Sequence, residues 1–175
     1  MNFSEYVNNN YNVGIDNQKV EQAITEIKYC ILNKIPILII GNGGSAYIGS
    51  HFSQDLVKIY DALAWCLADN FGTILAIAND ISYNDVFSYQ LPKFNKGLLV
   101  CISHSGNSIN ILNAAEQAQR IDMPVISLTG NDGGKLKNLS NININVPTDN
   151  IYVRESLFSM IFHYIIDELK RRLKT

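Results

Sequence analysis

Leu98-Leu-Val-Cys-Ile-Ser-His-Ser-Gly-Asn-Ser108 decides the fold, because it repeats the plan of Ile37-Leu-Ile-Ile-Gly-Asn-Gly-Gly-Ser45. In each, a short apolar run breaks into a loop of glycine with hydroxyl or amide residues, and helical periodicity follows. A wholly apolar run of this length suits a strand buried on both faces of a parallel sheet, and strand, glycine turn, helix opens a βα unit. The second loop carries the hydroxyls of Ser103, Ser105 and Ser108 at a helix N-terminus, where the helix dipole favours an anion. Phosphate is the ligand suited to that place.

Working outward, Val20, Ile24, Ile27 and Ile31 recur at spacings of three and four, predicting a helix over Gln18 to Asn33 that Pro36 ends. Ala46 to Tyr60 returns to helical spacing, and Ala62 to Ala68 is a strand candidate. Thr73 to Ala78 reads equally as strand or short helix. Val86 to Leu91 predicts a helix stopped by Pro92, and Ile109 to Ile121 a helix capped by Ser108, with Glu116 and Arg120 as an i,i+4 pair. Pro124 to Thr129 and Ile142 to Val146 complete the strands. A long helix from Ile151 to Leu173 ends in Lys170-Arg171-Arg172, favourable against its dipole. Alternating strands and helices predict a three-layer α/β/α sandwich on a doubly wound, five-stranded parallel sheet, with the ligand beyond the carboxyl ends of the strands. The expected organisation is one domain over 1–175, with an N-terminal helix, roughly 1–33, packing in the oligomer.

A chain of 175 residues can bury a core without staples. Fourteen basic against 16 acidic residues, a net charge of −2, give no electrostatic case for nucleic acid, though the balance leaves room for a one-sided basic patch. Cys30, Cys66 and Cys101 lie in apolar runs with no Cys-x-x-Cys spacing and read as buried thiols of a reducing compartment. Met1 to Val13 is polar and lacks the apolar core of a signal peptide, and no apolar run approaches the roughly 20 residues of a membrane helix. The expectation is a cytoplasmic protein.

His51 and Asp55 lie four apart, on one face of their helix. His163 and Glu155 lie eight apart in the last helix, roughly 80° around it, and can point into one cleft. Two imidazoles with two carboxylates are a reasonable ligand field for zinc or another divalent ion. His104, inside the hydroxyl loop, is expected against ligand or solvent.

Gly41-Asn-Gly-Gly-Ser45, His51-x-x-x-Asp55, Ala78-Asn-Asp80, Val86-Phe-Ser88, Ser103-x-Ser-Gly-Asn-Ser108, Leu128-Thr-Gly-Asn-Asp-Gly-Gly134 and His163 in a closing helix together resemble the sedoheptulose-7-phosphate isomerase (phosphoheptose isomerase) family of the sugar isomerase (SIS) fold group. The resemblance runs from about residue 18 to the C-terminus. It implies a homotetramer with shared active sites that interconverts sedoheptulose 7-phosphate and D-glycero-D-manno-heptose 7-phosphate for bacterial surface polysaccharide. It also implies that Asn42, Gly43, Gly44, Asn79 and Asp80 hold sugar hydroxyls and that Ser103, His104, Ser105 and Ser108 hold the phosphate. Zinc would lie on His51, Asp55, Glu155 and His163, with Asp55 and Glu155 also touching substrate and Asp55 and His163 exchanging protons. The departures are Asp55 for the family's Glu, Glu155 for its Gln, His104 for a small hydroxyl residue, Tyr47-Ile48 for a small and acidic pair, and a Thr148–Arg154 segment one residue short. The alternative is a non-catalytic SIS protein, either a sugar-phosphate-binding regulator or a tetrameric adaptor of the kind that binds the replication initiator.

Overall fold

The computed structural model describes residues 1–173. Its strands are β1 (Ile37–Gly41), β2 (Ala64–Cys66), β3 (Leu98–Ser103), β4 (Val125–Gly130) and β5 (Ile142–Val146). They form one sheet in the order β2-β1-β3-β4-β5, every pairing parallel. The helices are α1 (Phe3–Asn10), α2 (Asn17–Leu32), α3 (Gly44–Tyr60), α4 (Phe71–Asp80), α5 (Ile109–Arg120), α6 (Leu136–Leu139) and α7 (Ile151–Leu173).

Side-chain alternation along the strands feeds two cores. Ile37, Ile39, Leu98, Val100, Ile102 and Leu128 pack under α2, α3 and α7, while Leu38, Ile40, Leu99, Cys101 and Val125 face α5 and Leu136 of α6. β1 and β3 are neighbours, paired from Ile37↔Leu98 to Gly41↔Ile102, yet their helices cover opposite faces. This is the switch point of a doubly wound sheet, where a crevice opens. Both glycine-serine loops leave the sheet there.

Three segments differ from the sequence reading, and the 73–78 run, readable there as strand or helix, is a helix. The N-terminal segment is two helices: the Asn2 side chain caps α1 in a reciprocal box with Glu5, and the Asp16 carboxylate caps α2. The ambiguous 73–78 run is helix α4, because the Asn70 side chain accepts the Thr73 N–H and starts it. Val86–Leu91 is not an α-helix: two 3-10 turns, Tyr83–Asp85 and Ser88–Lys93, stand there, the second holding Pro92, which has no N–H for an i→i−4 bond. The Ala62–Ala68 strand shortens to three residues. All three cysteines are buried and unpaired. No helix among the described residues is long and apolar enough to cross a membrane.

Candidate active site

α3 carries His51 and Asp55 on one face, and α7 brings His163 against them. The two Nε2 atoms lie 3.1 Å apart and the rings meet edge to face at 85°. Asp55 Oδ2 is 3.7 Å from His51 Nε2, and one ligand atom from each of the three residues falls within 4.8 Å of the others. Beneath the pair, Phe52 and Phe162, each the sequence neighbour of a histidine, stack with centroids 4.0 Å apart and planes at 15°. That stack fixes the register of α3 on α7.

Two ligands of a tetrahedral zinc, each at about 2.0–2.1 Å, lie roughly 3.3 Å from one another. The 3.1 Å and 3.7 Å separations bracket that value, so the three residues fit a divalent ion.

Glu155 stands outside this group. Its Oε1 is 3.5 Å from His104 Nε2, and a Cβ on Gly44 would run into its carboxylate. Glu155 therefore lies between the two loops, its carboxylate in the space a side chain at 44 would take. His104 is not turned to solvent: its ring leans on Phe158 at 5.1 Å, and neither ring nitrogen is exposed or hydrogen-bonded. Burial pulls its pKa below the usual value, with Glu155 opposing.

In the first loop, Gly43 turns the chain at a positive φ of 52° into α3. The Asn42 amide is already engaged. It exchanges hydrogen bonds with Asn110 of α5 (2.9 and 2.8 Å), and the Tyr83 hydroxyl donates to its Oδ1 (3.0 Å). Asn110 is buried, so this amide pair bolts the first loop to the helix that follows the second. Asn79 and Asp80 end α4, exposed and bonded to each other at 2.8 Å.

In the second loop Ser103 is buried, Ser105 exposed and Ser108 between. Ser108 occupies the cap position of α5, but its hydroxyl meets Ser103 Oγ at 3.5 Å rather than a helix N–H. Gly106, at φ +63°, lies so close to the Gly133 carbonyl that a Cβ there would collide with it.

Residues 12–130 match the SIS domain family. The phosphoheptose isomerase of Shewanella denitrificans is 36% identical over 166 residues, 89% of this chain and 85% of that protein. The chain belongs to the phosphoheptose isomerase family. The family's solved structures superpose closely. Those from Neisseria gonorrhoeae and Francisella tularensis each share 32% identity at a TM-score of 0.84, covering 89% of this chain and 86% of theirs. The fold is thus that of phosphoheptose isomerases, which are aldose-ketose isomerases.

Three residues at the site escaped the motif reading: Asn110, Tyr83 and Arg154. Asn110 precedes Ala114 and Ala118 at spacings of four on the buried face of α5, and Arg154 precedes Leu157, Phe158 and Ile161 on that of α7. A polar side chain at the head of an apolar stripe is the signal that finds both. Tyr83 carries no such signal.

Proposed function

We propose that the chain interconverts sedoheptulose 7-phosphate and D-glycero-D-manno-heptose 7-phosphate, as a cytoplasmic homotetramer holding one zinc ion per site. The observation that carries this reading is the meeting of His51 and Asp55, on the helix that begins at the first loop, with His163 of α7. A regulator or adaptor needs no such group.

The reaction moves a carbonyl between C2 and C1 through an enediol. One carbon gives up a proton, its neighbour receives one, and the growing negative charge on oxygen needs a stabiliser. Ser103, Ser105, Ser108 and the loop amides grip the phosphate at C7, which fixes the other end of the sugar. Gly43, Gly44, Asn42, Asn79 and Asp80 take the hydroxyls, Asn42 through its backbone or by exchanging its Asn110 bond. Asp55 and His163 are the base and acid. Zinc on His51, Asp55 and His163, with Glu155 joining by side-chain rotation, would polarise the carbonyl oxygen. Asp55 is one methylene shorter than the family's glutamate, so the sugar must sit closer to α3. Exposed Phe71, Leu75, Ile81 and Trp65 supply the apolar surface that a tetramer would cover.

The test is conversion of sedoheptulose 7-phosphate to aldose, with and without added zinc, by the native chain and by His163→Ala. The native chain turns over, and the variant loses activity by about 10²-fold or more. No aldose from the native chain in either condition overturns the reading.

A further inference from the structure

Arg154, in the first turn of α7, is only 4% exposed. Its Nε and Nη2 donate to the Thr148 carbonyl after β5, its Nη1 to the His104 carbonyl after β3 (3.3 Å), and its Nη2 also to Asn131 Oδ1 after β4. A Cβ on Gly130 would collide with the guanidinium, so the end of β4 is shaped around it. Among the described residues no carboxylate comes within ion-pair distance of Arg154. Exposed Asp149 acts on it only at longer range. Neutral oxygens satisfy its N–H groups but leave a buried unit charge unbalanced, which is costly.

The His104 carbonyl accepts from both Arg154 and the Gly130 N–H (3.0 Å). The peptide joining His104 to Ser105 is trans. In a trans peptide the N–H points opposite to the C=O, so the Ser105 N–H is turned away from Arg154. Among the described residues it has no acceptor. One side of the peptide is held by a cation; the other offers a free donor in the hydroxyl loop.

We infer that Arg154 is a positioning residue for the anion: it locks the His104–Ser105 peptide with its amide toward the ligand, and a dianionic phosphate ester is the missing counter-charge. The inference rests on the isomerase reading only for where the phosphate sits. It explains why a cation is built behind a loop whose own side chains carry no fixed charge.

The experiment compares Arg154→Lys with Arg154→Gln, each of which loses the planar fork while only Lys keeps the charge. Calorimetry with inorganic phosphate reads affinity, and sedoheptulose 7-phosphate kinetics read KM and kcat. Charge-assisted bonding predicts phosphate Kd and KM raised about 30-fold or more in Arg154→Gln and within about fivefold in Arg154→Lys, with kcat changed less than about threefold in either. Equal phosphate affinity in the two variants overturns the inference, as does loss of kcat with Kd and KM unmoved, the mark of a merely structural role. If only the Lys variant folds, phosphate affinity weakened more than about 30-fold in it overturns the inference and affinity within about fivefold of native supports it. A native chain that neither binds phosphate nor isomerises removes the isomerase reading and this inference together; native turnover with equal variants removes this one alone.

Discussion

Phe162→Leu tests whether the aromatic stack sets the histidine geometry. Phe162 is 3% exposed and Phe52 1%. Truncating a buried phenylalanine to alanine costs about 3–5 kcal/mol, and leucine keeps much of the volume, so the loss should be about 2 kcal/mol. Against a domain stability of about 5–15 kcal/mol the variant stays folded, and its thermal midpoint falls by about 4–8 °C. His163 is the next residue, and its Nε2 is held 3.1 Å from His51 by the register the stack imposes. A shift of about 1 Å there lowers kcat/KM by about 10²-fold. Phe87→Leu is the matched control, equally buried but in the opposite core layer. It should lose similar stability and keep its turnover. Scanning calorimetry and aldose formation provide both readouts. If the two variants lose the same activity, or Phe162→Leu keeps native kcat/KM despite its lower midpoint, the stack does not position the site.

Gly44→Ala places a methyl where the Glu155 carboxylate lies. The carboxylate can swing away, so stability changes by less than about 1 kcal/mol while kcat/KM falls about tenfold or more; steady-state kinetics beside a melting curve check the split. Burial pushes the Cys30 thiol up to about 12 and the Cys66 thiol up to about 11, from 9.0. The folded chain therefore holds thiol protons that the unfolded chain sheds above pH 9. Stability is complete below that pH and falls as pH rises toward 11, and Cys30→Ala flattens the slope in melts taken from pH 8 to 11. The same burial leaves the native chain inert to an aromatic disulfide reagent at pH 8, with three thiols appearing only on denaturation.

The sheet was legible because a parallel strand buried on both faces leaves an apolar run, unbroken in Ile37–Ile40 of β1 and Leu98–Ile102 of β3 and interrupted in β4 only by the buried Ser127 and Thr129. β2 is an edge strand with exposed Trp65 at its centre, so its pattern blurs into the flanking loops. Cap chemistry explains the helical differences. One Asn or Asp side chain starts each of α1, α2 and α4, and in segments of 8 and 10 residues such a contact outweighs weak periodicity.

The site divides along the same physical line. His51 and Asp55 share a helix face, so their meeting follows from a spacing of four. Glu155 and His163 share only a helix, and on which neighbour each lands depends on how α7 lies across the sheet. It lays His163 on α3 but Glu155 between Gly44 and His104. Two of the departures that the resemblance implies, histidine in the hydroxyl loop and glutamate on α7, are therefore one contact in space. A neutral glutamine facing a small hydroxyl would leave that gap open. A carboxylate facing an imidazole at 3.5 Å fills it with groups that attract each other whenever the ring is protonated. Each residue makes the other tolerable beside the hydroxyl loop, so Glu155→Gln and His104→Ser should be individually harmful and together milder than the sum of their effects. A double-mutant cycle on kcat/KM reads that coupling directly, and strict additivity would show the two to be unrelated.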